Sequence, residues 1–485
     1  MSAESIRAGV ELELAARVVE LVRQAAGPSA EAEVVVRHDA EALTRFAVSM
    51  IHQNVAEAVT TVGLRLHLDG RTASGATTVV GADGLRGLVE RTVAAARLSP
   101  PDTTWPGLAP PSPLHHSAGY HGSGEHSRLD FGFDEATARA TPAERAELVR
   151  DFVSAADGLE TAGFCRTVYT SAAFVNSAGQ SVEGRTAEAA MDGIARAGGA
   201  DGVARLASGR LSDLDGALLG ARAAAKARAA RNPVELPPGR YEVVLEPEAV
   251  SDLLANLSVF GFNGKSYAQK QSFAELEADQ FDPSVTLVDE PLGSRDEHAP
   301  GLPFDDEGTP RESLVLVREG VTKAVAHDRT SAAEAGAVST GHASGMSRTW
   351  GPFPNHVRLE ASPAATLPPV DESIGAVAAS ARPLVARMER GLLITDLWYT
   401  RVLDQKTLVI TGLTRNGVWL VENGEVTAAV GNMRFTQSYP QALASGMVLG
   451  IGGESVLLPD RWSGTRYAAP ALHLASWNLT GNASG

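Results

Sequence analysis

Cysteine is almost missing from this 485-residue sequence: Cys165 is the single one, which rules out an intrachain disulfide and a cysteine-rich zinc cluster. Aromatic residues make up only 5%, so a ligand pocket walled by rings is not expected. No apolar run approaches the ~20 residues of a membrane-spanning helix. The N-terminus is not a signal peptide either. From Ser2 to Ala26, Glu and Arg punctuate apolar residues at helical spacing, the pattern of an amphipathic helix. Basic clusters are equally scarce against a net charge of −16. The exception is the Ala-rich stretch Arg222–Arg231, whose spacing reads as a solvated helix face, and so acidic a chain is a poor nucleic-acid binder. These absences point to a cytoplasmic protein that engages neither membrane nor nucleic acid.

Hydrophobic residues, at 44%, are enough for the cores of two or three domains. Four runs have strand character: Ala32–His38, Thr44–Ile51, Thr60–Leu68 and Thr72–Val80. In the third, Val62, Leu64, Leu66 and Leu68 face one way and Arg65 and His67 the other. A helix from Asp83 to about Leu98 completes an α+β sheet with helices on one face, in which His38, His52 and His67 are surface residues. Ser99–Asp130, rich in Pro, Gly and Ser, reads as a flexible excursion. It holds His115, His116, His121 and His126 beside Glu125. Four imidazoles in so short a span can ligate a metal, but the spacing matches no closed site and ordering a flexible loop opposes binding, so no metal is assigned there.

Thr141-Pro142-Ala143-Glu144 is a capping box, starting a helix that runs to about Asp157. Cys165 follows in a strand without a histidine neighbour and is read as a buried structural thiol. Pro237-Pro238-Gly239 marks the main boundary. The expected organisation is an N-terminal α+β domain over 1–232, interrupted by the 99–130 excursion, and a strand-rich domain over 233–485, a β-sandwich or barrel. Asn416-Gly417 and Asn423-Gly424 read as type I′ hairpin turns. Pro303 to Gly308, with Asp305, Asp306 and Glu307, forms a tight acidic turn before a hairpin turned at Glu319-Gly320.

The stretch Tyr241–Gly264 is a Val-rich strand followed by a helix with Pro247 in its first turn, Glu246 and Glu248 at the positive end of its dipole, and Ala249, Leu253, Leu254 and Leu257 at helical spacing. It resembles, without a gap, the strand and helix of the TldD/PmbA family, whose TldD branch carries an HExxxH zinc-protease motif there. On that pattern the first His falls on Ala255, the general-base Glu on Asn256 and the second His on Phe260. Methyl and phenyl groups do not ligate zinc, and an amide takes no proton from a metal-bound water. The TldD branch also places a Cys ligand near its C-terminus, and none occurs in Ser445–Gly453 or beyond. The sequence is therefore similar to the TldE (PmbA) branch, and its C-terminal domain carries a vestigial metal-site helix.

The resemblance implies more. Phrases like His327-Asp328-Arg329 and Ser339-Thr340-Gly341-His342 are signatures of the family, so Asp305, Asp306, His327, Asp328, Arg329, Ser339, Thr340, Gly341 and His342 are expected to line its central cleft. The chain would hold no cofactor, with zinc on an HExxxH-bearing, TldD-like partner. It would shape a heterodimeric chamber and hold unfolded or modified peptides without cutting them. Two other readings stand beside this one. A hydrolase with another site is the first, although no GxSxG, Walker or HExxH motif occurs. The second is a peptide-binding or regulatory protein using exposed edge strands of the C-terminal domain.

Overall fold

The computed structural model describes residues 9–116, 120–121, 132–293, 301–360, 381–459 and 465–483. Its N-terminal sheet has six antiparallel strands: β1 (Glu31–Ala47), β2 (Met50–Leu68), β3 (Arg71–Thr77), β4 (Glu160–Asn176), β5 (Ser181–Ala197) and β6 (Ala200–Ser208), in the order β3-β2-β1-β4-β5-β6. Strand alternation assigns the faces. Val34, Val36, Val62, Leu64 and Leu66 lie under α1 (Val10–Ala26) and α2 (Ala82–Leu98). Cys165, Met191 and Ala204 lie on the same face under α3 (Pro142–Ala155) and α4 (Gly216–Ala229). The helices thus cover one face, as the sequence pattern implies, and Thr141 and Glu144 form the expected capping box.

One reading of this region is corrected. Thr44–Ile51 is not a strand, because the chain reverses at Val48 and Ser49, with φ of 51° and 57°. Neither is the Asn or Gly that such a turn prefers. Tertiary contacts hold it instead: the Ser49 hydroxyl donates to Leu159 O at 3.2 Å and accepts from Thr161 N at 3.1 Å. From Pro101 to Leu114 the excursion is tied to the body of the chain. Asn176 Nδ2 donates to Ala109 O at 2.8 Å, Gln180 Nε2 to Ser112 O at 3.2 Å and Arg329 Nη2 to Leu108 O at 2.6 Å, and Leu114 is fully buried. The backbone of His115–His116 pairs with Tyr120–His121. Glu125 and His126 lie outside the described residues.

In the C-terminal half, β7 (Gly239–Leu245), β8 (Arg390–Asp404), β9 (Val409–Glu422), β11 (Met433–Ser438) and β12 (Leu472–Asn482) pair into a closed ring, and β10 (Glu425–Ala429) hangs from β9. A second six-stranded sheet, including Leu287–Asp289, His356–Leu359 and Arg466–Ala469, lies beside it. Helix α5 (Pro247–Asn256) sits between the two, so that Leu253, Leu254 and Leu257 share one core with Leu392 and Trp477 of the ring and Val357 and Tyr467 of the sheet. The strand-rich part is barrel-like. Asn423-Gly424, at φ 53° and 80°, makes the expected hairpin. Asn416-Gly417 does not. It lies inside continuous β9 as an irregularity opposite Ile394 and Asp396, where Asn416 Nδ2 donates to Asp396 Oδ2 at 2.9 Å. Such a bulge bends a strand, which ring closure requires.

The helix-free face of the N-terminal sheet packs on the C-terminal half. Ala172, Phe174 and Val182 meet Leu292, Leu302 and Phe304. Ion pairs flank this contact, Arg466 with Glu188 at 2.6 Å and Arg205 with Asp396 at 3.1 Å. The stretch Arg222–Arg231 belongs to the junction as well, which corrects its reading as a solvated face. Lys226 has no exposed surface and meets Glu246 at 2.6 Å, while Arg222 meets Glu248 at 3.2 Å. The carboxylates at the start of α5 bring these cations inward.

Candidate functional site

Positions 255 and 260 are five residues apart, which on a regular α-helix sets side chains about 140° apart. Here the helix changes pitch. Leu257–Gly261 is a π turn, closed by the Phe262 N–H on Leu257 O at 2.8 Å. The wider turn swings Phe260 back toward Ala255, and both side chains, half-buried, pack on the same core. π turns of this kind occur frequently at functional sites.

Asn256 is buried, and its Nδ2 donates to the backbone O of Asp252 at 2.9 Å and to its carboxylate at 3.2 Å. Asp252 also accepts from Thr400 Oγ1 at 2.8 Å and from Tyr439 Oη at 3.2 Å. Burial and the Asp252 charge push the Tyr439 phenol well above its ordinary range. Methyl, amide and phenyl groups at 255, 256 and 260 are not a zinc ligand set. Among the described residues, no three His, Cys, Asp or Glu side chains are grouped to hold a metal ion. Cys165 lies in the N-terminal core, and burial pushes its thiol up to about 12 against the nearby Arg145.

The other candidates converge on one hydrogen-bonded knot. Asp305 accepts from Glu307 N and Thr309 N, each at 2.9 Å, and from Ala343 N at 2.8 Å, tying the acidic turn to the 339–343 segment. Burial and the Glu307 charge raise its carboxyl to about 7. His327 N donates to Thr340 Oγ1 at 2.7 Å, and its carbonyl accepts from Ser339 Oγ at 3.3 Å and Thr340 N at 3.0 Å. Burial lowers the pKa of its imidazole, which bonds Ser331 Oγ at 3.0 Å. His342, fully buried, links Thr340 Oγ1 at 2.8 Å to Asp289 Oδ2 at 2.9 Å. Burial opposes ionisation of Asp289, but the His342 and His356 contacts outweigh it and keep the carboxyl below its usual range. Gly341, at φ 75°, passes within 2.6 Å of Pro310 O, measured from the Cβ it lacks, and its carbonyl accepts from Arg311 Nε at 3.0 Å.

The knot forms one wall of a cavity of about 500 Å³ between the N-terminal sheet and the C-terminal half. Of the predicted residues, Asp306 and Asp328 line it. Asp305, His327, Ser339, Thr340, Gly341 and His342 brace the wall from behind, and Arg329 fastens it to the 101–114 segment through Pro106 O and Leu108 O. The opposite wall was missed. Glu33 and Arg65 are cross-strand neighbours on β1 and β2, joined at 2.6 Å on the helix-free face. Arg65 also reaches Glu307 at 2.9 Å and lies 4.6 Å over the Trp105 ring. Burial pushes Glu33 up to about 8 despite Arg65, and the nearby Glu307 charge adds to the rise. A signal existed: Arg65 and His67 alternate with buried apolar residues, and the pattern marks a second face without saying that protein covers it.

Among the described residues no helix is long and apolar enough to cross a membrane. A comparison with curated proteins gave no match. Solved structures with the same fold include TldE from Thermococcus kodakarensis, at TM-score 0.80 and 18% identity over 96% of this chain and 100% of that one. A protein from Thermotoga maritima, provisionally described as a modulator of a DNA gyrase, follows at 0.76 and 17%, covering 96% and 99%. A Bacteroides thetaiotaomicron protein described in the same terms gives 0.76 and 19%, covering 97% and 98%. The family described as PmbA/TldA metallopeptidase C-terminal domain matches residues 238–481, half of the chain, and includes β7, α5, the ring and the second sheet. The chain belongs to the PmbA/TldD metallopeptidase family.

Proposed function

We propose that this chain is a TldE-like, non-catalytic subunit of a heterodimeric zinc metallopeptidase, in which a TldD-like partner carries the HExxxH motif and the metal. One observation carries the reading. Helix α5 keeps the π turn that a five-residue ligand spacing needs, while Ala255, Asn256 and Phe260 at the corresponding positions are engaged in packing and in hydrogen bonds to Asp252. The residues present do not fit zinc, so no hydrolytic step passes through this chain. Its part is to shape the chamber and hold unfolded or modified peptides for the partner. The domain division at 232/233 and a cytoplasmic location belong to the same proposal.

The test is reconstitution with an HExxxH-bearing homologue. The isolated chain is expected to leave an unstructured peptide intact, and the mixture to cleave it in a chelator-sensitive way. Chelator-sensitive cleavage by the repurified chain alone would overturn the assignment.

A further inference from the structure

The cavity between the N-terminal sheet and the knot has a charge balance that its own wall does not satisfy. Asp328 is 7% exposed, and its Oδ1 accepts from Ser331 N at 2.7 Å. Its other oxygen accepts no protein hydrogen bond among the described residues. Asp306 and the exposed Glu334 add two carboxylates without side-chain hydrogen bonds among the described residues. The cations on the wall are engaged within it, with Arg65 Nη2 left without a hydrogen bond. Arg65 lies between Glu33 and Glu307, and the Lys265 ammonium donates to the carbonyls of Arg348 and Thr349 at 2.8 and 3.0 Å. Arg348 is exposed at the rim.

A carboxylate oxygen that faces a cavity without a protein donor is open to a ligand or water. A volume of about 500 Å³ is within the range of small-ligand sites, and the excess acceptors specify a donor-only, positively charged group. We propose that this cavity binds the ammonium or guanidinium end of a flexible chain, with Asp328, Asp306 and Glu334 as its acceptors. Two sources share that chemistry, a Lys or Arg side chain of a peptide and a free polyamine. The first rests on the reading of this chain as a peptide-holding subunit. The cavity's preference for an organic cation does not.

Titration calorimetry on the full chain tests it, with N-acetyl-argininamide, spermidine and, as neutral isostere, N-acetyl-citrullinamide. The expected result is saturable one-to-one binding of a cation and binding at least about tenfold weaker for the citrulline compound. Argininamide binding assigns the peptide source, and binding of spermidine alone assigns the polyamine. Asp306→Asn combined with Glu334→Gln is expected to weaken binding at least about tenfold with the melting temperature unchanged. Equal affinity for the neutral isostere, indifference to the double variant, or no binding of either cation overturns the proposal. None of these outcomes depends on a partner subunit, so failure here leaves the reconstitution result standing.

Discussion

The N–H of Phe262 donates to the carbonyl of Leu257, five residues earlier, at 2.8 Å. A regular α-helix would bond it to residue 258, and after this one-residue slip Phe260 packs, like the half-buried Ala255, on the same core. Phe260→His therefore puts an imidazole where a phenyl ring packs, at a cost of about 1 kcal/mol for a half-buried position. The triple change Ala255→His, Asn256→Glu, Phe260→His also removes the amide that holds Asp252, adds a like charge beside it, and supplies no Cys ligand. Thermal melting should show a lower Tm for both variants, larger for the triple one, and peptide cleavage should stay absent. A triple variant that takes up zinc and cleaves peptide would mean that the site is latent.

Lys226 and Glu246 form an ion pair with neither side chain exposed. Lys226→Ala removes the ammonium that meets Glu246 in a buried junction, and urea unfolding should show a loss of about 3–5 kcal/mol. Lys226→Met with Glu246→Gln removes both charges while keeping most of the volume, and should recover most of that loss. If the double change is as damaging as the single one, packing rather than charge holds this junction.

Gly308, at φ 73°, faces the Phe174 ring, and a Cβ there would lie 2.3 Å from it. Gly308→Ala is thus strained twice, in backbone conformation and by a clash across the junction of the two halves, for about 1–3 kcal/mol. The same measurement on Gly446→Ala, also at positive φ but with open space around its Cβ, isolates the backbone part. Equal losses would show that the ring contact contributes nothing.

Glu33 and Asp305 give stability a dependence on pH. Their folded-state values, about 8 and about 7, lie above the ordinary 4.5 and 3.8. Between those limits the folded chain holds protons that the unfolded chain has released, so stability falls as pH rises through that window. Asp289 and Glu188, held below their usual range, act in the opposite sense and lose their stabilising effect as pH falls below about 4. Urea midpoints should therefore decline from about pH 5.5 to 8.5, and Glu33→Gln should flatten the decline. An equal slope in that variant would remove Glu33 from the account.

The elements most legible in the sequence were those set by local chemistry. The capping box at Thr141, the turn at Asn423-Gly424 and the face alternation of Val62–Leu68 each follow from a few adjacent residues. Asn416-Gly417 shows the limit: the same dipeptide that makes a hairpin also makes a bulge, and only the pairing of β9 with β8, set by ring closure, decides between them. The Val48-Ser49 turn was hidden for the reverse reason, since Leu159 and Thr161 stabilise it from far along the chain. Lys226 and Arg222 looked solvated because their partners, Glu246 and Glu248, come from the next element. At the candidate site, Asp306 and Asp328 stand out in sequence through their phrases, whereas Glu33 and Arg65 become cavity walls only when the two halves meet.

Metal stoichiometry tests the central claim most directly. After dialysis against a weak chelator, elemental analysis of the purified chain is predicted to find zinc far below one equivalent, because Ala255, Asn256 and Phe260 offer it no ligand. One tightly held zinc per chain would contradict the account and would require ligands from elsewhere, with His115, His116, His121 and His126 the first to substitute.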